Sequence, residues 1–152
     1  MDLGSSLELT TVLIGTIVLV LNVLDSVTTA IGLKQYPDKT LSGEGNPIMR
    51  FLMLRSRVLA EILKHGVVLI IVISGIVLNE IESLRIVSIM LGLVVINNSW
   101  IVISRGVTGR KVISPLRKLQ KVLHIPDWGL YIITMGIVLG LAYLINMLVW
   151  RV

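Results

Sequence analysis

Asp25, Glu61 and Lys64 interrupt stretches of sequence that are otherwise free of charge. A charge at the centre of a membrane helix costs at least about 2.5–3.5 kcal/mol, so such residues are expected to be paired or functional. One acid and one amine predict a buried ion pair, Asp25 with Lys64. Asn22, Asp25, Ser26 and Thr29 stand at offsets 0, 3, 4 and 7, which is one helical face at about 100° per residue. Glu61, Lys64 and His65 repeat the offsets 0, 3 and 4, and two further apolar stretches bring Asn97 with Asn98, and Thr134. Asn22, Thr29 and Asn97 are expected to complete the hydrogen bonding of the pair.

Depth links these faces. Counted from the nearest flanking charge at 1.5 Å per residue, Asp25 lies about 13 Å in, and Lys64, His65, Asn97 and Thr134 about 10–12 Å. The chemistry predicted is therefore a buried polar layer of Asn22, Asp25, Thr29, Lys64, His65 and Asn97, to which four helices contribute. Glu61 lies only about 6 Å in and is able to snorkel or to pair with Arg57. An Asp25, Glu61 and His65 metal site is opposed by Lys64 and by the lack of a second nearby histidine, so no metal and no cofactor are expected. The sequence holds no G-x-S-x-G and no H-E-x-x-H, hence no catalytic residues are assigned. Ser26 beside Lys64 has the types of a Ser–Lys pair, but a membrane serine more often bonds its own backbone.

The elements that must carry this layer are read from the uncharged runs. Leu9–Leu33, Val58–Leu78, Ile86–Ser104 and Gly129–Trp150 are 25, 21, 19 and 22 residues long, and a bilayer core takes about 20. Backbone groups in hydrocarbon must be satisfied within the segment, which makes these runs helices despite their Val and Ile content. The expected fold is an all-α membrane protein, a single domain over residues 1–152. Its four transmembrane helices lie near 9–33, 58–78, 86–104 and 129–150. Met1–Glu8 carries no positive charge, so the first helix reads as an uncleaved span rather than a signal peptide.

Composition agrees. Of 152 residues, 55% are hydrophobic and 15% charged, with a mean hydropathy of +0.91, against about 25% charged in soluble domains. This excludes a disordered chain and argues against a soluble enzyme. The absence of cysteine excludes disulfides and thiolate metal sites. The net charge of +5 reports orientation rather than nucleic acid. Eleven of the fourteen basic residues fall on the two long loops, which places those loops in the cytoplasm and both termini outside. The opposite side has the tight Asn79–Leu84 turn.

In the second basic loop, Leu116, Leu119 and Leu123 oppose Arg117, Lys118 and Lys121 within Pro115–His124. This predicts a short interfacial amphipathic helix that contacts anionic inner-leaflet lipids. In the first loop, Asn46 is an expected N-cap with Pro47 at the first helical position. Glu44 and Asn46 are expected either to cap that helix start or to fold back over the polar layer. Gly136 and Gly140 allow close helix approach and suggest a homo-oligomer.

The run Asn22-Val-Leu-Asp25-Ser-Val-Thr28-Thr29, then Glu44-Gly-Asn46-Pro47, then Lys64, resembles the small prokaryotic membrane proteins grouped as domain of unknown function 5658. The resemblance covers roughly Leu21 to His65. It implies a small multi-pass membrane protein without an assigned activity, and it marks Asp25, Thr29, Glu44, Asn46, Pro47 and Lys64. Two functions stand beside each other: a small oligomeric transporter or ion-conducting protein using the Asp25/Lys64 layer, and a structural or interaction subunit in which the layer only registers the helices. An enzyme has no support beyond the reactivity of Asp25, Glu44 and Lys64.

Overall fold

Long apolar segments satisfy their backbone groups internally only as helices, and among the described residues all regular structure is helical. The computed structural model describes residues 3–35, 44, 46–109 and 122–150. Its helices are α1 (Leu3–Gln35), α2 (Pro47–Arg55), α3 (Arg57–Val77), α4 (Ile81–Thr108) and α5 (Asp127–Trp150). All but the nine-residue α2 are long and apolar enough to cross a membrane. Their outer faces carry exposed Leu9, Ile70, Ile103 and Ile132, a surface suited to hydrocarbon rather than water. The interfacial helix expected at Pro115–His124, with Arg117, Lys118 and Lys121, falls largely outside the described residues.

Several boundaries differ from the sequence reading, the first helix beginning at Leu3 rather than near 9. The third long helix runs Ile81–Thr108 rather than 86–104, because counting uncharged residues stops at Arg85 and Arg105 although neither breaks a helix. Arg105 turns its guanidinium inward, its Nη1 lying 3.4 Å from the Gly32 carbonyl oxygen. The turn expected over Asn79–Leu84 shrinks to Leu78–Glu80, since Leu84 is fully buried inside α4. Asn79 takes the left-handed conformation at φ 53°, which asparagine tolerates better than most residues, and its Oδ1 accepts from the Thr11 hydroxyl at 3.0 Å. Gly109, at φ 61°, ends α4 in the left-handed cap that glycine favours.

α1 is the hub. It packs along α4 and α3, whereas α5 leans only on α4 and α2. Along α1, Thr11, Val18, Asp25 and Gly32 recur every seventh residue, as do Leu84, Leu91, Asn98 and Arg105 on α4. Seven residues bring a helix nearly back to the same face. The two stripes run parallel, with Arg105 at Gly32, Asn98 at Asp25, and Leu84 and Leu91 in one apolar cluster with Val18. α3 runs antiparallel to α1, with His65 at Asn22, Glu61 at Ser26 and Val72 against Gly15. A Cβ on Gly75 would lie 2.7 Å from Leu84 Cγ, so α3 and α4 meet where no side chain intervenes.

The short α2 is built as the sequence expects. Asn46 Oδ1 accepts from the backbone of Ile48 at 2.9 Å and Met49 at 3.2 Å, and Pro47 opens the helix. Ser56 ends α2 and caps α3, its Oγ accepting from Leu59 N at 3.2 Å. Met53 and Ala60 are buried with Leu33 and Met49 packed against them. That cluster pins α2 to the end of α1 that carries Lys34, and an Arg50–Asp127 ion pair ties α2 to the start of α5.

Candidate functional site: a buried polar cluster between α1, α3 and α4

The seven-residue stripe of α1 carries Asp25 to the α4 side, and its neighbour face carries Asn22 and Ser26 towards α3. Lys64 Nζ lies 2.6 Å from Asp25 Oδ2, and both side chains are largely buried. Lys64 Nζ also donates to Ser26 Oγ at 2.9 Å. The other carboxylate oxygen of Asp25 accepts from Asn98 Nδ2 at 2.8 Å. Each member of the pair therefore has a second hydrogen bond, the condition under which a buried ion pair is tolerable.

Ser26 does not bond its own backbone, contrary to the commoner habit of membrane serines. Its hydroxyl accepts from Lys64 and donates to Glu61 Oε2 at 2.7 Å, using the donor and one of the acceptor sites that a hydroxyl offers. Ser26 thereby joins the ion pair to a second group of side chains. His65 Nε2 lies 3.4 Å from Ser26 Oγ and 3.6 Å from Glu61 Oε2. His65 Nδ1 lies 2.6 Å from Asn22 Nδ2. Asn22 is only 2% exposed, and its Oδ1 is buried without a hydrogen-bond partner. Glu61 and His65 are 33% and 40% exposed, so the cluster is closed at Asp25 and open at the outer side of α3.

Several expected members are placed differently. Asn98, not Asn97, meets Asp25; Asn97 is exposed and reaches only Asn98, at 3.4 Å. The depth argument gave both residues one height, but only the stripe through Leu84, Leu91, Asn98 and Arg105 decides which of two adjacent residues faces α1. Thr29 lies 3.5 Å from Asn98 Nδ2 rather than bonding the ion pair. Asn22 serves His65, not Asp25. Thr134 turns its hydroxyl to the Leu130 carbonyl, and among the described residues α5 packs against α4 and α2 rather than α1 or α3, so three of the described helices build the cluster rather than four. Ser26, Glu61 and Asn98 are the residues that sequence reasoning left out of the layer; Glu61 bonds Ser26 rather than pairing with Arg57.

Glu44 stands just before α2, and its Oε1 accepts from Asn46 N at 2.8 Å. Burial raises its carboxyl above the ordinary 4.5, opposed by that hydrogen bond, and the charges of Asp25, Lys64 and Glu61 act on it as well. Glu44 is thus within the field of the cluster, at the end where α2 and α3 meet, while Asn46 caps α2. Among the described residues, no three His, Cys, Asp or Glu side chains are grouped as metal ligands would be. His124, at φ 53°, is exposed and remote from these contacts. Gly136 and Gly140 have open space around them.

Residues 16–107 match the family described as Domain of unknown function (DUF5658), and the match runs from within α1 through nearly all of α4, hence takes in the whole cluster. No curated protein and no solved structure matches the chain.

Proposed function

We infer that this chain, which belongs to the family described as domain of unknown function (DUF5658), is a multi-pass membrane protein that moves an ion or a small charged solute across the bilayer. The observation that carries the reading is Ser26, which couples a buried ion pair to an acid and an imidazole within helices otherwise suited to hydrocarbon. A helix lock needs the pair alone; the added Glu61 and His65 bring exchangeable protons and an opening to the outside of the chain. The charge bias of the loops supports a cytoplasmic location for both long loops and both termini outside, and the resemblance to small prokaryotic membrane proteins supports a prokaryotic plasma membrane. Arg117, Lys118 and Lys121 then contact anionic inner-leaflet lipids.

Three helices around one cluster leave little room for a pathway, and the Glu61–His65 side is a third or more exposed. Facing charge to lipid is costly, which favours a homo-oligomer in which a second copy covers that side or packs on the open Gly136–Gly140 face. Proteoliposomes assayed with H+, Na+ and K+ test the reading. Asp25→Asn is expected to reduce flux more than tenfold while helix content is retained. Undiminished flux in Asp25→Asn, or no flux of any of the three in the native protein, refutes it. The second reading, a structural subunit, draws on one observation: Asp25 and Lys64 complete their hydrogen bonds through Asn98 and Ser26, as a helix lock requires.

A further inference from the structure

We propose that Glu61 and His65 hold one transferable proton, with Asn22 reading the state of the imidazole, and that the proton is the ion this protein couples to or conducts. The proposal rests on the transport reading for its use, but the site itself stands on geometry.

Charge bookkeeping comes first. Asp25 and Lys64 neutralise each other at 2.6 Å, and Asn98 holds the second oxygen of Asp25, so this pair is fixed. Glu61 leaves one further negative charge in the cluster. Loading one positive charge onto His65, 3.6 Å away, balances it. The species that supplies that charge with these ligands is a proton: the Lys64 ammonium already sits among the oxygens and repels a metal ion. The charged and titratable groups facing Glu61 and His65 are Asp25 from α1, Lys64 from α3 itself and Glu44 from the segment before α2. α4 presents the neutral Asn98 at this level and Arg105 two turns further along.

Asn22 supplies the second observation. Its Nδ2 donates to His65 Nδ1, which therefore carries no hydrogen, leaving the imidazole proton on Nε2 towards Glu61 and Ser26. The unpartnered Oδ1 belongs to the same amide. A half-turn of the amide plane brings Oδ1 to Nδ1, where it accepts from an N–H. Asn22 thus fits both states of the ring without any helix movement. The step balances as loading and unloading of one proton. A hydronium ion gives its proton to the Nδ1 electron pair as the amide turns, which forms the N–H bond and leaves water, and the imidazolium so formed stands against the Glu61 carboxylate. Loss of the Nδ1 proton to water, the electron pair staying on nitrogen, returns ring and amide to the starting state. The half-exposed edge of Glu61 and His65 gives water access to one side.

The chain has two histidines, so His124→Asn leaves His65 as the sole imidazole for nitrogen-15 labelling. Solid-state NMR in phosphatidylethanolamine and phosphatidylglycerol bilayers reads its protonation from pH 4 to 9 without touching the cluster. The expected result is an Nε2–H neutral ring that converts to imidazolium within this range, with a midpoint moved by at least one pH unit in Glu61→Gln. Pyranine-loaded vesicles under a valinomycin-set potential should show proton uptake that falls at least tenfold in Glu61→Gln and in His65→Gln. A ring that never titrates, or a midpoint indifferent to Glu61→Gln, overturns the proton site. Proton flux that persists in His65→Gln overturns it too, while leaving the transport reading intact. A titrating, Glu61-coupled ring without flux of any ion upholds the site and defeats that reading.

Discussion

Replacing Asp25 and Lys64 singly and together separates the energy of the pair from the energy of the shape it occupies. Lys64→Leu leaves the Asp25 carboxylate with only Asn98 as a donor, and Asp25→Leu leaves the ammonium with only Ser26. Removing one member of a buried ion pair costs about 3–5 kcal/mol, because an uncompensated charge remains. The double replacement removes both charges. Ser26 still donates to Glu61, so the remaining loss is the Asn98 amide, whose fallback is Thr29 at 3.5 Å. One poorly satisfied buried donor costs about 1–3 kcal/mol. The double variant should therefore be more stable than either single variant, by roughly 1–3 kcal/mol on these ranges. Unfolding in bilayers, followed by steric trapping or by denaturant-dependent helix loss, measures the three variants on one scale. A double variant as unstable as the two singles added together would refute the argument, since it would mean that Asp25 and Lys64 act through separate contacts.

Three other expectations follow from the packing and the charges. Asn98→Ala strips Asp25 of its second donor and should destabilise by about 1–3 kcal/mol, whereas Asn97→Ala, at an exposed position, should fall within about 0.5 kcal/mol; the same unfolding assay compares them. Gly75→Ala drives a methyl group into Leu84, at 2.7 Å, for a cost of about 1–3 kcal/mol, while Gly136→Ala meets open space and should stay within about 0.5 kcal/mol. Glu44 has a raised folded-state carboxyl, so the fold binds its proton more tightly than the unfolded chain does. Its contribution to stability is then largest at or below the ordinary 4.5 and declines as the pH rises through the folded value. Glu44→Gln should flatten the decline in thermal midpoint above pH 4.5, and an unchanged slope would argue against burial as the cause.

Much of this arrangement is legible in the sequence, and what is not has a definite cause. Uncharged length locates four long helices because hydrocarbon thickness sets a minimum run. The ends of α4 escape that count because Glu82, Arg85 and Arg105 are charged yet helical. The Asn46–Pro47 start of α2 is legible since capping is a local matter of two or three residues. Spacing along one helix puts Asp25 and Ser26 on adjoining faces, but which helix each face meets is a property of packing. The choice between Asn97 and Asn98 is an azimuth of about 100°. It becomes readable only when the seven-residue recurrence of Leu84, Leu91, Asn98 and Arg105 is set against Thr11, Val18, Asp25 and Gly32.

That pairing of stripes explains why the cluster is asymmetric. α1 has two faces to offer, and the stripe towards α4 uses Asp25 and Gly32 for one-to-one contacts with Asn98 and Arg105. The face towards α3 changes character along its length: Gly15, with Val72 Cγ1 3.0 Å from its would-be Cβ, lets the helices meet closely at one end. At the other end Asn22, Ser26, Glu61 and His65 fill the contact with polar side chains. Asn22 lies inside that contact, whereas Glu61 and His65 lie at its edge and are a third or more exposed. A pair meant only to lock α1 to its neighbours would be enclosed, as Asp25 and Lys64 are. Titratable groups placed at the open edge instead are reachable by water or by a second copy of the chain, which is the property that proton exchange requires and a helix lock does not.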